Sequence, residues 1–351
     1  MLMGACPLTG HGAAGQVVVW GYYAGSVSNL PPDLTNVVAV AGGLDHALAL
    51  REDGTVVAWG TDSGYGETQV PPGLSNVVAI SAGWLFSMAL RGDGTVETWG
   101  HDAVVPPPGL TNVVAISAGG HQFCLALRAD KTVVAWGWNG SGQTNVPPGL
   151  TNVVAVAGGL DHSAALRGDG TVVAWGPDDS FGNLSIPSDL SNVVAISAGW
   201  SQTWALRSDG TVIGWGFDAQ VPADLSNVVK VAGGWDAGQE FLSGDGTVHG
   251  LPGLSNVVTV ARGHFFGMAV VVPVAPAHAL AIRPAGRTWE TGCFSVSART
   301  RFGRVYSLQY QNALAGGDWR PLPLLPGDGE VRTLRDEGAT VPHRFYRLLQ
   351  W

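Results

Sequence analysis

Two Asp-His pairs are the residues of this sequence whose types are best suited to chemistry. Asp45-His46 and Asp161-His162 each place a carboxylate beside an imidazole, the combination that general acid–base catalysis uses. Each pair lies where the sequence reads as the start of a β-strand, and neighbouring side chains of a strand point to opposite faces. The two groups of a pair therefore cannot act on one reacting atom, and we interpret both histidines as structural.

Other catalytic and metal-binding patterns are missing from the sequence. No serine lies in a nucleophile-elbow pattern, no glycine run has phosphate-loop order, and no His/Cys/Asp spacing is typical of a metal site. Cys6, Cys124 and Cys293 are odd in number and widely spaced, which favours buried or idle thiols over disulfides. We therefore predict a protein that is not an enzyme and that needs no cofactor or metal.

The pattern that dominates the sequence is a repeat. An Asn-Val-Val anchor occurs seven times, at spacings of 40, 36, 40, 40, 35 and 29 residues, and repeats 1 to 7 are numbered by it. The anchors begin at Asn36, Asn76, Asn112, Asn152, Asn192, Asn227 and Asn256. Periods of this length indicate a repeat architecture.

Each repeat reads as three long strands and a short fourth. In repeat 1 the segments NVVAVA, HALAL and GTVVAW are the long strands, and Asp53-Gly54 supplies the positive φ of a tight hairpin. Asp130-Lys131 replaces Asp-Gly in repeat 3, so we expect slight strain there. A Trp-Gly anchor ends the third strand, and its recurrence indicates packing between repeats. This tryptophan is Trp20, Trp59, Trp99, Trp136, Trp175 or Trp215, with His249 as a degenerate seventh member.

Units of this length and strand content predict an all-β protein with a seven-bladed β-propeller over residues 16–272. Repeat 7 lacks the hairpin and the Trp-Gly, whereas QVVVWG at residues 16–21 supplies that missing half. The N-terminal strand should therefore close the ring and leave no free sheet edge. A linear solenoid with capping repeats is the alternative. Residues 1–15 should be an unstructured stub without a complete signal peptide.

The composition changes after residue 272, which predicts a second domain. Residues 1–272 hold 8 Lys and Arg against 21 Asp and Glu, whereas residues 273–351 hold 10 against 6. Short alternating segments predict a small β-sandwich over 273–351. Its basic balance would let it dock on the acidic propeller, and a plain spacer is the alternative. The acidic propeller argues against nucleic-acid binding, and no apolar run is long enough to span a membrane.

The residues that break the repeated phrase define a candidate binding surface. In a propeller the turns between the first two strands and the turns after Trp-Gly share one face, here called the loop face. The Asp-Gly hairpins form the opposite, hairpin face. The loop-face turns differ between repeats and are rich in aromatic residues, which is typical of protein interfaces and of sugar-stacking platforms. The predicted partner-binding residues are Tyr65, Trp84, Phe86, His121, Phe123, Trp138, Phe181, Trp200, Trp235, His264 and Phe265.

The repeated phrase resembles a known family. NVVAVAGGLDHALALREDGTVVAWG and WNGSGQTNVPPGL are similar to repeats of the regulator-of-chromosome-condensation superfamily. The short repeats resemble its bacterial branch, which includes the β-lactamase-inhibitory proteins of the second type. The C-terminal region resembles a module of secreted proteins from environmental bacteria that ends in an RFYR phrase. These resemblances imply a propeller, an extracellular or cell-surface location, and histidines that brace their own turns.

The function that we expect is a non-catalytic scaffold that binds another protein through the loop face. A glycan-binding propeller is the alternative, and it predicts similar pockets repeated between blades. Inhibition of a β-lactamase and nucleotide exchange on a GTPase are further functions within the superfamily. Neither is specified by the residues above, because a shared fold does not fix a function.

Overall fold

The fold is described by a computed structural model that covers residues 15–21, 25–101, 104–177, 181–234, 238–272, 286–290, 293–300, 305–311, 320–336 and 345–350. These residues are almost entirely β-structure, and their one regular helix is a 3-10 turn at Gly25–Ser28. None of the described residues belongs to a helix long and apolar enough to cross a membrane.

The strands follow the repeats of the sequence. The strands of the repeat region are β1 (Gln16–Gly21), β2 (Val37–Gly42), β3 (His46–Arg51), β4 (Val56–Gly60), β5 (Val77–Ala82), β6 (Phe86–Arg91), β7 (Val96–Gly100), β8 (Val113–Ala118), β9 (Phe123–Arg128), β10 (Val133–Gly137), β11 (Val153–Gly158), β12 (Ser163–Arg167), β13 (Val172–Trp175), β14 (Val193–Ala198), β15 (Gln202–Arg207), β16 (Val212–Gly216), β17 (Val228–Gly233), β18 (Gln239–Ser243), β19 (Val257–Arg262) and β20 (Phe266–Val271). The strands beyond it are β21 (Gly286–Glu290), β22 (Cys293–Arg299), β23 (Val305–Gln311), β24 (Arg320–Pro321), β25 (Leu325–Pro326), β26 (Val331–Asp336) and β27 (Phe345–Gln350).

Repeats 1 to 5 each form an antiparallel sheet of three strands in chain order. The short fourth strand predicted for each repeat is not formed in the described residues. The proline-containing segment makes a turn instead, as where the Leu74 N–H donates to the Pro71 carbonyl (3.1 Å). Proline has no N–H for a strand ladder, which explains why this segment ends the sheet.

Repeats 6 and 7 depart from this pattern. Repeat 6 has two paired strands, β17 and β18, and a single bridge from Leu242 to Val248 stands where a third strand would run. In repeat 7 the third strand is β1, which pairs with β20 from Gln16 opposite Val271 to Gly21 opposite Phe266. The first strand of the chain thus completes the sheet of the last repeat.

The first strands of successive repeats lie side by side. The order of neighbours is β2, β5, β8, β11, β14, β17 and β19, and β19 in turn lies beside β2. Small residues at these contacts, such as Ala41, Ala118 and Ala157, are fully buried and allow close approach of the backbones.

The asparagine of each anchor has a left-handed backbone. All seven have φ between 53° and 59°, a region that asparagine tolerates better than most residues. The carbonyl of Asn36 accepts the N–H of Glu52 (2.9 Å), which ties the start of β2 to the hairpin between β3 and β4. The anchor is therefore repeated because the turn before each first strand requires this conformation.

The Asp-Gly hairpins are held by the residue that follows them. Oδ1 of Asp53 accepts both the N–H (2.9 Å) and the hydroxyl (2.7 Å) of Thr55, and these bonds lower the pKa of the Asp53 carboxyl. Gly54 between them has a φ of 81°. Lys131 takes the equivalent position in repeat 3 at a φ of 66°, which confirms the strain predicted for this hairpin.

The Trp-Gly tryptophans connect neighbouring repeats, as predicted. Each indole of repeats 1 to 5 is buried, and its Nε1–H donates to a carbonyl in the loop that follows the third strand of the preceding repeat. The acceptor always lies 32 residues earlier in the chain. The pairs are Trp59 with Val27 (2.8 Å), Trp99 with Glu67 (3.0 Å), Trp136 with Val104 (2.7 Å), Trp175 with Gln143 (2.9 Å) and Trp215 with Asn183 (3.0 Å).

Trp20 of β1 has a different acceptor, because repeat 6 is too short to carry the corresponding loop. Its Nε1–H donates to Oε1 of Glu240 on β18 (3.2 Å). Glu240 is almost fully buried and is paired with Arg262 on β19 (2.5 Å). A buried carboxylate with a cationic partner thus replaces the missing backbone carbonyl.

The histidines of the two Asp-His pairs are buried between repeats. Nε2 of His46 lies 3.1 Å from Oγ of Ser87, and Nε2 of His162 lies 2.9 Å from Oγ1 of Thr203. Burial lowers the pKa of each imidazole from 6.5 to about 4. Each ring also covers the glycine of its own turn, for example Gly43, so the structural interpretation is confirmed.

The C-terminal strands form two small sheets. One is β21-β22-β26, and the other pairs β23 with β24, β25 and β27. This region contacts the hairpin face of the repeats. Nζ of Lys131 lies 3.6 Å from Oδ2 of the buried Asp328, and the Leu324 N–H donates to the Ser208 carbonyl (2.7 Å). The strained lysine of repeat 3 is therefore part of the contact between the two regions.

The indole hydrogen bonds predict that substitution of two neighbouring tryptophans, Trp136 and Trp138, has very different effects on the free energy of unfolding. Trp136→Phe should lower the free energy of unfolding by about 2 kcal/mol, because it leaves a cavity and removes the indole bond to the Val104 carbonyl, which keeps only the longer bond from the Thr98 hydroxyl (3.2 Å). Trp138→Phe, two residues later, should change it by less than about 0.5 kcal/mol, because Trp138 is 41% exposed. Urea unfolding of both variants measures the difference, and equal losses would show that the indole bond is not a stabilising contact.

The buried histidines predict that stability decreases with acid. Between pH 6.5 and 4 the unfolded chain binds protons at His46 and His162 that the folded chain does not, so the free energy of unfolding should decrease as the pH falls. The loss should reach roughly 3 kcal/mol per histidine. His162→Gln should lower the number of protons taken up on unfolding in this pH range by about one, which makes the slope of the unfolding free energy against pH smaller. Ser87→Ala, which keeps His46 buried, should leave the slope unchanged; a slope equal to the parent's in His162→Gln would contradict the assignment.

Candidate functional site: the aromatic loop face

The loop-face turns are bonded to one another around the repeats. Within a turn the glycine after the first strand donates to the residue that begins the second strand, as from Gly43 N–H to the His46 carbonyl (2.9 Å). Between turns, Leu44 donates to the Trp84 carbonyl (3.2 Å). The N–H of His264 in repeat 7 likewise donates to the Gly43 carbonyl of repeat 1 (3.0 Å). Backbone bonds thus join the loop-face turns of repeats 7, 1 and 2, and bonds such as that from Trp200 N–H to the Gly234 carbonyl (3.0 Å) join those of repeats 3 to 6.

Large aromatic side chains are exposed on these turns. Six aromatic side chains of the described residues are at least 36% exposed, and all six lie in loop-face turns. They are Tyr65, Trp138, Phe181, Trp200, Phe217 and Phe265. Five of them belong to the predicted partner-binding set. The sixth, Phe217, follows the Trp-Gly of repeat 5.

Two of the predicted residues do not belong to this surface. Phe86 and Phe123 are fully buried, and they begin the second strands β6 and β9. Each ring lies so close to the glycine of its own turn that a Cβ on Gly83 or Gly119 would be about 2 Å from it. His46 occupies the same position in repeat 1, so this register points inward in every repeat. Their assignment to the binding surface was wrong.

The remaining predicted residues have different exposures. Trp84, His121 and His264 are half-buried in the loop-face turns. Trp235 lies outside the described residues. Their roles in binding stay predictions.

One aromatic group combines residues from repeats 2, 3 and 4. The His121 ring makes edge-to-face contacts with Trp84 (4.9 Å between ring centres) and with Trp138 (5.3 Å). Nδ1 of His121 lies 2.6 Å from Oδ1 of Asp161, and both side chains are about one-third exposed. This group, Trp84, His121, Trp138 and Asp161, is called the mixed cluster below. This contact between His121 and Asp161 was not predicted from the sequence, in which Asp161 was considered only together with its neighbour His162.

A second aromatic group is purely apolar. Phe217 makes edge-to-face contacts with Phe181 (5.2 Å between ring centres) and with Trp200 (5.9 Å). The rings come from the turns of repeats 4 and 5, and all three are exposed. This group is called the apolar cluster below.

The loop that presents Tyr65 is held by a carboxylate. Asp62 accepts N–H bonds from Gly64 (2.9 Å) and Gly66 (3.0 Å) and an amide bond from Gln69 (2.9 Å). These bonds, the one from Gln69 first, lower the pKa of Asp62 to about 2. Tyr65 itself packs beside His101 of the next repeat (4.9 Å between ring centres). The exposed tyrosine is thus placed by a defined loop conformation.

Aromatic rings dominate the described part of this surface. Within the described residues no group of three or more His, Cys, Asp or Glu side chains is arranged to hold a metal. Cys124 is fully buried, and burial raises its thiol pKa well above its ordinary value, so it is not a reactive thiolate. The exposed rings provide apolar contact area, and Asp45, Asp161 and Asp218 place carboxylates in the same turns.

Comparisons with known proteins agree with this architecture. Residues 37–67, 113–143 and 153–183, in repeats 1, 3 and 4, match the family model of the regulator of chromosome condensation (RCC1) repeat. No curated protein sequence matches the chain.

Several solved structures are similar over most of their length. Prp20p from Saccharomyces cerevisiae, studied for its binding to Gsp1p and histones, has a TM-score of 0.61 and 18% identity over 78% of this chain and 94% of that chain. Human WBSCR16 has a TM-score of 0.58 and 17% identity over 74% and 99% of the two chains. The CRINKLY WD40 ectodomain of the Arabidopsis thaliana receptor kinase ACR4 has a TM-score of 0.55 and 20% identity over 69% and 95%. Three repeats of this chain therefore match the regulator-of-chromosome-condensation repeat, and the fold is that of a β-propeller.

Proposed function

We propose that this protein is a non-catalytic scaffold that binds another protein through the loop face. The observation that carries the proposal is the concentration of exposed aromatic side chains on turns that are joined by backbone bonds between repeats. A few large aromatic anchors dominate the affinity of most protein interfaces. Turns held by backbone bonds also reduce the conformational entropy that is lost on binding.

The proposal includes a ring of seven blades over residues 16–272. Its support is that β19 lies beside β2 and that β1 completes the sheet of repeat 7. In such a ring all loop-face turns point to one side, so the mixed and apolar clusters can contact one partner together. Residues 273–351 would form a small β-sandwich against the hairpin face, which leaves the loop face to the partner.

The partner itself is not specified by the fold. Prp20p, which has a related fold, has been studied for binding to Gsp1p and histones, but it is only 18% identical to this chain. That likeness supports a fold able to present a protein-binding surface and assigns no partner here. We place the protein outside the cell or at the cell surface because of the secreted proteins that its repeats and C-terminal region resemble.

Glycan binding is the alternative, because exposed indole rings also stack on sugars. The two clusters differ in shape and charge, whereas a glycan-binding propeller would repeat similar pockets between its blades. This asymmetry favours a single irregular protein partner. A glycan array probed with the full chain separates the two functions, since specific binding to a glycan would favour the alternative.

The scaffold proposal is tested by capture with matched variants. The full chain is immobilised, exposed to the extracellular proteins of its source organism, and bound proteins are identified after cross-linking. Trp138→Ala, Phe181→Ala and Trp200→Ala together should raise the dissociation constant of a captured partner at least about 100-fold, because three anchor side chains are lost.

The matched control removes three exposed carboxylates that lie away from the loop face. Glu52→Ala, Asp189→Ala and Asp224→Ala together should leave the dissociation constant within about threefold of the parent value. Loss of binding in this control with retention in the aromatic variant would place the interface elsewhere and overturn the proposal. Failure of the full chain to retain any protein would count against it as well.

A further inference from the structure

The mixed cluster is built by a departure of repeat 3 from the repeated phrase. Its turn contains one more residue between the first and second strands than the turn of repeat 1. Gln122 in this turn has a φ of 43°, a strained value for a residue that is not glycine. Such outliers persist where the surrounding structure holds them, and they occur often at functional sites. The extra residue brings His121 between the indoles of Trp84 and Trp138.

Backbone bonds fix the members of the mixed cluster. The N–H of His121 donates to the Leu160 carbonyl (3.2 Å), next to Asp161, and the N–H of Trp138 donates to the Gln122 carbonyl (2.9 Å). A carboxylate only accepts hydrogen bonds, so Nδ1 of His121 donates to Asp161 and the imidazole is oriented by it. The cluster is therefore preorganised across three repeats.

The Trp138 ring is seated against a glycine. A Cβ on Gly140 would lie 2.2 Å from Cζ2 of Trp138, so a larger residue there would displace the indole. The ring is nevertheless 41% exposed. Gly140 therefore allows the indole to lie flat on its own loop while part of its surface faces solvent.

The charge of the mixed cluster distinguishes it from the apolar cluster. Asp161 places a partly exposed carboxylate against the imidazole that contacts both indoles, and its Oδ2 makes no hydrogen bond within the described residues. The surrounding region is acidic, with 8 Lys and Arg against 21 Asp and Glu in residues 1–272. An indole face and a carboxylate together favour a planar cation, because a guanidinium stacks on aromatic rings and binds carboxylate oxygens.

We infer that Trp84, His121, Trp138 and Asp161 form the subsite for an arginine side chain of the partner protein. This inference rests on the proposed function and specifies that one anchor side chain of the partner is positively charged. An arginine seated here would pair with Oδ2 of Asp161 and lie against the exposed indole of Trp138. The apolar cluster, in which Phe217 contacts Phe181 and Trp200 ring to ring, would take an uncharged anchor of the same partner.

The subsite is tested with short peptides on the full chain. Acetyl-Gly-Gly-Arg-Gly-Gly-amide is titrated at pH 8 into 15N-labelled protein, and the indole N–H signals of Trp84 and Trp138 are followed by NMR. The same peptide with citrulline has the same shape without the charge. The arginine peptide should shift both signals saturably, and the citrulline peptide should bind at least tenfold more weakly.

Matched variants test whether the Asp161 carboxylate itself, rather than the overall negative charge of the repeats, binds the arginine peptide. Asp161→Asn should weaken binding of the arginine peptide about tenfold. Asp45→Asn, at the equivalent position of repeat 1, should leave binding unchanged. Gly140→Ala should weaken binding while keeping all four cluster residues, because it displaces the Trp138 ring. Trp200→Phe, in the apolar cluster, should have no effect on the peptide.

The outcomes distinguish this inference from the proposed function. Equal binding of the arginine and citrulline peptides, equal effects of Asp161→Asn and Asp45→Asn, or no signal shift up to the solubility limit would overturn the arginine subsite. If a captured partner still depends on the loop-face aromatics in that case, the scaffold proposal stands without it. If the triple aromatic variant keeps its partner, the scaffold proposal fails whatever the peptides do.

Discussion

The bond between an indole N–H and a carbonyl of the preceding repeat is the contact on which the repeat region depends. A three-stranded sheet of this size cannot bury its own faces, so it is stable only against its neighbours. In repeats 1 to 5 the tryptophan at the end of the third strand fills the space between two sheets and satisfies a carbonyl of the adjoining loop. Because the acceptor is always 32 residues earlier, the same bond sets both the spacing of the sheets and the path of the loop between them.

This arrangement separates the residues that maintain the fold from those that are free to vary. The loop supplies a backbone carbonyl to the indole, and the residue that supplies it is buried in each case, from Val27 to Asn183. The exposed aromatic residues lie elsewhere in the loop-face turns, where they need not repeat. The Asn anchors recur in all seven repeats, and the Asp-Gly-Thr hairpins recur in repeats 1, 2, 4, 5 and 6. Both fix a backbone conformation while leaving the opposite end of the sheet unconstrained.

The repeated parts of the structure could be predicted from the sequence because each of them is repeated for one physical reason. The hairpins, the structural tryptophans and the pairing of the N-terminal strand with the last repeat could all be predicted from the repeated residues. The loop-face side chains could not be placed in the same way. Phe86 and Phe123 read in the sequence as members of variable turns, yet each begins a second strand and is buried, whereas His121, two residues before Phe123, stays partly exposed. The contact between His121 and Asp161 joins two repeats, and the sequence of one repeat contains no signal for it.

The carboxylate of Glu240 shows that a side-chain oxygen can replace the backbone carbonyl as the acceptor of the indole N–H. Where repeat 6 has lost its outer strand and loop, one buried acid with Arg262 beside it holds Trp20 in the place that a carbonyl holds elsewhere. Repeat 6 spans 29 residues, against 40 for repeats 1, 3 and 4, and Glu240 and Arg262 on adjoining strands supply the contact that a longer loop makes elsewhere. Repeat arrays of this kind can shorten a unit during evolution without losing register, provided that the polar atom facing the next tryptophan is supplied from within the sheet.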